Sequence, residues 1–86
     1  MPRELVLSRH TRKFLLKLTD ARLEARLREH LDQIAVNPLL PGAEKLKGMA
    51  HAYRVRVGDY RIVYEIDPHS PVIFVSNIGD RKDIYR

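Results

Sequence analysis

Tyr53-Arg54-Val55-Arg56-Val57-Gly58-Asp59-Tyr60-Arg61-Ile62-Val63-Tyr64-Glu65-Ile66 is the stretch that decides the fold. Tyr53 to Val57 alternates strictly between apolar and charged side chains, the period of a strand with one buried face. Gly58-Asp59 is a two-residue hairpin signal, and Tyr60 to Ile66 continues as the return strand. A two-residue turn fixes the register: Val57 faces Tyr60, Arg56 faces Arg61, Val55 faces Ile62, Arg54 faces Val63 and Tyr53 faces Tyr64. The faces then separate. Tyr53, Val55, Val57, Tyr60, Ile62, Tyr64 and Ile66 point one way, toward a core. Arg54, Arg56, Arg61, Val63 and Glu65 point the other.

Working outward, Asp67-Pro68-His69-Ser70-Pro71 is a turn, and Val72 to Ile78 reads as a third strand. On the N-terminal side, Gly48, Pro41-Gly42 and Asn37-Pro38 break the chain, because a residue before proline is pushed out of helical geometry. Leu23, Leu27, Leu31, Ile34 and Ala35 recur at helical spacing before that break, with Asp20 as N-cap and Glu24 placed to support the first turn. Ser8 caps an earlier helix running through Phe14 to Leu18, and Glu4 to Leu7 forms a short first strand. The expected order is β-α-α-β-β-β. Two helices on one face of a small, mainly antiparallel sheet would bury everything apolar, giving an α+β fold. The 86 residues leave room for a single domain, 1–86.

Composition excludes several kinds of chemistry. With no cysteine, disulfides, thiolate metal sites and thiol nucleophiles are out together, which points to an intracellular setting. Met1-Pro2-Arg3-Glu4 has no signal pattern, and no apolar run approaches the ~20 residues needed to span a bilayer, so a cytoplasmic location is expected. His10, His30, His51 and His69 are scattered without metal-ligand spacing, and Ser8, Ser70 and Ser76 have no evident base partner. Neither a metal nor a cofactor is expected.

Sixteen Lys and Arg against eleven Asp and Glu give a net charge of +5, which favours polyanionic partners. From Lys45 to Arg61 there are five basic residues and one acid, Asp59. Setting Arg56 against Arg61 opposes folding by a few tenths of a kcal/mol or more, because like charges sit directly across the sheet. Two readings stand. Either an anion such as phosphate lies between these arginines, matched by their rigid donor forks, or the charges merely keep an exposed hairpin soluble. Arg22, Arg26 and Arg28 read as a solvated helix face.

Four segments, Lys45-Leu46-Lys47-Gly48, Tyr53-Arg54-Val55-Arg56, Gly58-Asp59-Tyr60-Arg61-Ile62-Val63-Tyr64 and Gly79-Asp80-Arg81-Lys82-Asp83-Ile84-Tyr85, resemble motifs of the RelE/ParE superfamily of bacterial and archaeal toxins. The resemblance covers nearly the whole chain in element order and is strongest from Lys45 to Arg86. It implies a RelE-like fold and membership of a type II toxin–antitoxin pair. For the RelE branch it implies a metal-independent endoribonuclease, an mRNA interferase, that cuts messenger RNA in the ribosomal A site with the ribose 2′-hydroxyl as nucleophile. The partners so implied are the ribosome, messenger RNA and a cognate RelB-like antitoxin whose disordered amphipathic segment folds over the toxin.

Carried over by position, the catalytic set is Arg54, Arg56, Arg61, Arg81 and Tyr85, and RNA binding falls to Lys45, Lys47, Lys82 and Arg86. Arg61 and Arg54 would stabilise the charge that builds on the phosphoryl oxygens, an effect of about 3 kcal/mol per contact. Arg56 would orient the backbone and help lower the pKa of Tyr85, the general base, which ordinarily titrates near ~10. Arg81 sits where relatives place the leaving-group acid, although a guanidinium is better suited to charge stabilisation. Many relatives carry histidine where this chain has Asp80, so a histidine-dependent mechanism is not implied. Two alternatives accompany this reading: a ParE-like inhibitor of DNA gyrase, and an RNA-binding translation blocker that does not cut.

Overall fold

The computed structural model describes residues 3–80. Strand β1 (Glu4–Leu7) leads into helices α1 (Arg9–Lys17) and α2 (Ala21–Val36), followed by β2 (Glu44–Lys45), β3 (Ala52–Val57), β4 (Tyr60–Ile66) and β5 (Val72–Asp80). The five strands form one sheet in the order β1-β5-β4-β3-β2, antiparallel throughout except where β1 runs parallel to β5. This is the expected α+β arrangement with one addition. The two-residue strand β2 sits on the edge beside β3, too short to leave a periodic signal in sequence.

The β3–β4 register is the one that a two-residue turn dictates, from Val57 opposite Tyr60 to Tyr53 opposite Tyr64. Gly58 has φ 62°, and no residue other than glycine has positive φ among those described. A positive first turn residue followed by a negative one is the type II′ geometry, whose twist matches the flanking strands.

Both helices cover the face carrying Val55, Val57, Ile62 and Tyr64, which form the core with Leu15 of α1, Leu27, Leu31 and Ile34 of α2, and Ile73, Val75 and Ile78 of β5. Tyr53, Tyr60 and Ile66 pack at its margin, so every residue assigned to the inner face lies there. The caps also fall where the sequence places them. Ser8 Oγ accepts from Thr11 N at 3.1 Å, and Asp20 Oδ1 accepts from Arg22 N and Leu23 N at 3.0 and 3.1 Å. Glu24 lies in the first turn of α2 and binds Arg28 one turn on, at 3.0 Å.

Strand β5 departs from the expected span. It continues through Gly79 and Asp80 rather than leaving the sheet at the glycine. Its buried residues are spaced 73, 75 and 78, and a register shift makes this possible: Tyr64 pairs with Val75 while Val63 pairs with Asn77, leaving Ser76 as the extra residue of a bulge. Ser76 Oγ donates to Val63 O at 3.3 Å, and Ser76 O lies 2.9 Å from Ser8 Oγ, which ties the bulge to the start of α1.

Tyr64 is fully buried, stacks with Tyr53 and donates its hydroxyl to Pro38 O. Burial, reinforced by Tyr53, pushes its pKa up from 10.0 to about 12. Because the folded value is the higher one, this contribution to stability is complete below the unfolded pKa near 10 and is lost as pH rises toward about 12. Replacing Tyr64 with Phe should therefore flatten the alkaline fall in stability over that interval, measured by denaturant unfolding at stepped pH. Gly58→Ala forces a side chain into the left-handed region and should cost about 1 kcal/mol in the same assay.

Candidate nucleic-acid interface

The open face of the sheet, away from the helices, is built by the second parity of each strand. Arg54 and Arg56 of β3, Arg61, Val63 and Glu65 of β4, and Asn77 and Phe74 of β5 occupy it, with Glu44 of β2 and Val6 of β1 at the two sides. The three arginines thus share one surface. Arg61 is flanked by Arg56 on β3 and by Gly79 on β5, and that glycine places no side chain beside the guanidinium.

Each outer arginine has a local anchor. Arg54 lies directly across from Glu44 and reaches its Oε2 with Nη2 at 2.8 Å and Nε at 3.2 Å. Arg56 turns toward the hairpin end, where its Nε donates to Gly58 O at 2.9 Å. That turn offsets only part of the repulsion expected from placing Arg56 opposite Arg61, since a carbonyl dipole faces one guanidinium while both charges remain. The three arginines share one face of the sheet, as expected, and a carboxylate holds the outermost.

Glu44 is the residue that sequence reading missed. Neighbouring Lys45 drew attention as a cation, but only the pairing of β2 with β3 reveals which residue Glu44 faces. Asn77 is a second such residue. Its Oδ1 is buried on the open face opposite Val63 with no hydrogen-bond partner among the described residues. Lys45 lies in β2 and lines a depression of about 570 Å³ with His51, Tyr53 and Pro38, on the far side of the hairpin from its turn. Lys47 lies in the loop between β2 and β3. Arg81, Lys82, Tyr85 and Arg86 lie outside the described residues.

Among the described residues no group of three His, Cys, Asp or Glu side chains could hold a metal ion, and no helix is long and apolar enough to cross a membrane.

A helix-backed five-stranded sheet with arginines on its bare face defines the class: a RelE/ParE superfamily toxin. The chain belongs to the ParE toxin family of type II toxin–antitoxin systems, parDE, whose family model matches residues 5–85. Among solved structures it is similar to a chain of the archaeal RelE–RelB complex from Pyrococcus horikoshii, with TM-score 0.79, 27% identity, and 94% of this chain and 97% of that one covered. It is also similar to a chain of the intact E. coli RelBE toxin–antitoxin complex, with TM-score 0.78, 25% identity, and coverage of 91% and 95%. The YoeB/ParE toxin from Agrobacterium tumefaciens shares the fold with TM-score 0.79 at 23% identity, covering 91% of this chain and 98% of that one. No curated protein sequence matches the chain.

The Arg54 hydrogen bond and charge hold the Glu44 carboxyl below its ordinary range, with a smaller contribution from Arg61. A depressed carboxylate stabilises the pair above its unfolded pKa and loses that contribution as pH falls through the folded value. In an NMR titration of the Glu44 side chain, Arg54→Ala should move the midpoint upward toward the ordinary glutamate value. An unchanged midpoint would show that the ion pair does not persist in solution.

Proposed function

We propose that this toxin acts on ribosome-bound messenger RNA as a metal-independent endoribonuclease. The observation that carries the reading is the placement of Arg56 against Arg61, with Arg54 two residues along, on the sheet face opposite the one that α1 and α2 cover. Cross-strand like charge opposes folding, and a phosphodiester seated between the two guanidinium groups removes that opposition.

In this reading the ribose 2′-oxygen attacks the adjacent phosphorus, forming a cyclic phosphate while the bond to the 5′-oxygen breaks. Tyr85 takes the proton from the 2′-hydroxyl, and the departing 5′-oxygen gains one from water, with Arg81 assigned to stabilise its developing charge. Arg61 and Arg54 stabilise the charge on the phosphoryl oxygens. Arg56 orients the backbone. Lys45, Lys47, Lys82 and Arg86 bind neighbouring phosphates. Glu44 occupies two of the five donors of the Arg54 fork, so phosphate competes with a carboxylate for this arginine.

The partner in this proposal is a RelB-like antitoxin, the kind of protein found with RelE in the Pyrococcus horikoshii complex. The open face suits an acidic amphipathic segment, because Val6 and Phe74, 40% and 38% exposed, sit side by side at the β1–β5 side of the face that carries the arginines on β3 and β4.

A second reading is kept because the matching family model is that of ParE toxins: inhibition of DNA gyrase, without RNA cleavage. Programmed ribosomes separate the two. Codon-dependent cuts in the messenger, mapped by primer extension, are the expected result. Intact messenger together with gyrase-linked DNA breaks would select the second reading. Arg61→Ala and Arg81→Ala should each slow cleavage by about 100-fold or more while thermal unfolding stays cooperative. Full activity in both folded variants would remove the assignment.

A further inference from the structure

The β3–β4 turn faces the start of α2 across a groove of about 560 Å³. Arg22 and Arg26 line it from the helix, and Arg56, Gly58 and Tyr60 from the hairpin. The Arg26 guanidinium lies over the turn itself, since a Cβ added at Gly58 would stand 3.5 Å from its Nη1. Sequence periodicity placed Arg22 and Arg26 on a solvated face. The structure leaves them exposed, as expected, and also sets them beside Arg56, which belongs both to this groove and to the open face of the sheet.

Charge balance favours an anion here. Arg22 and Arg26 are one turn apart, and like charges at that spacing destabilise a helix by roughly 0.2–0.5 kcal/mol. Their neighbour Arg28 is neutralised by Glu24, but neither Arg22 nor Arg26 has an ion-pair partner among the described residues. Two acids also line the groove. Asp20 is directed to the backbone N–H groups of Arg22 and Leu23, and with Asp59 it gives two carboxylates against three guanidinium groups, an excess of positive charge.

We infer that this groove is a second phosphate-binding site, taking the RNA backbone away from the bond that is cut. The inference rests on the RNA-directed reading above. Arg56 joins the two sites, so one strand can pass from Arg54 and Arg61 around the hairpin end to Arg26 and Arg22. The ligand chemistry is a run of phosphodiesters rather than a base, because arginine forks match phosphate oxygens and the aromatic ring lining the groove, Tyr60, is already packed against Phe14 at 5.8 Å between centroids.

The test is fluorescence anisotropy of a labelled single-stranded RNA with the full chain over a salt series. Loss of two phosphate contacts in Arg22→Ala/Arg26→Ala should weaken binding and reduce the slope of log affinity against log salt by about 1.4. The charge-matched control is Arg12→Ala/Arg28→Ala: Arg28 lies beside Leu5 and Leu7, and Arg12 is exposed on α1, neither of them lining the groove. It should keep the wild-type slope. Equal slopes for the groove variant and wild type, or equal losses in the groove variant and control, overturn the site while leaving RNA binding by the open face standing. Absence of RNA binding by the wild-type chain overturns the RNA-directed reading and this site with it.

Discussion

One two-residue turn sets six cross-strand pairs, and the rest of the molecule follows from that register. Because side chains alternate at each step along a strand, a slip of β3 by one residue against β4 would send Val55 and Val57 into solvent and turn Arg54 and Arg56 toward the core. Burial of each large apolar side chain stabilises by roughly 1.5–3 kcal/mol, whereas opposing Arg56 to Arg61 costs at most about 1 kcal/mol. The apolar face therefore decides the register, and the arginines are carried onto the open face as its consequence. A charge arrangement unfavourable in isolation is thus held in place by packing on the other side of the same strands.

The local partners of these arginines refine that arrangement. Glu44 draws Arg54 toward the sheet edge, and Gly58 O draws Arg56 toward the turn. Exposed ion pairs contribute little to stability, so the effect of Glu44 is chiefly on where the Arg54 fork is held and with what it must exchange. Arg61, between Arg56 and Gly79, is the central cation of the face. The bulge at Ser76 serves the same division. It lets Val75 and Ile78 both enter the core while Asn77 stays on the arginine side.

What could be read in the sequence was whatever depends on local chemistry. Ser8 and Asp20 are caps because a short oxygen-bearing side chain satisfies N–H groups within three residues, and Gly58-Asp59 is a turn because its backbone demands a glycine. Non-local facts were hidden. A two-residue strand has no period, so β2 and the role of Glu44 went unseen. Gly79 read as the point where the chain leaves the strand, so β5 was cut short at Ile78, and a bulge breaks alternation without changing composition, so the one at Ser76 went unseen. Arg22 and Arg26 are exposed as a helix wheel implies, but the wheel does not show that Arg56 and the β3–β4 turn stand beside them. The arginines of β3 and β4 were legible as one surface, while their separate anchors depend on β2 and on the turn.

The same physics bears on how a toxin of this kind is restrained. Any acidic segment that settles over Arg54, Arg56 and Arg61 removes the cross-strand repulsion just as a phosphodiester would, and by mass action it stabilises the fold to which it binds. Under the proposed function, an acidic antitoxin segment and RNA would then seek the same charges, and occupancy by one would exclude the other without any change of conformation. The apolar pair Val6 and Phe74 tips that competition. An RNA backbone gains little from them, whereas an amphipathic peptide buries both while meeting the arginines. Selectivity for a protein partner over a nucleic acid would then reside on the β1–β5 side of the sheet, and the shared electrostatics on the β3–β4 side.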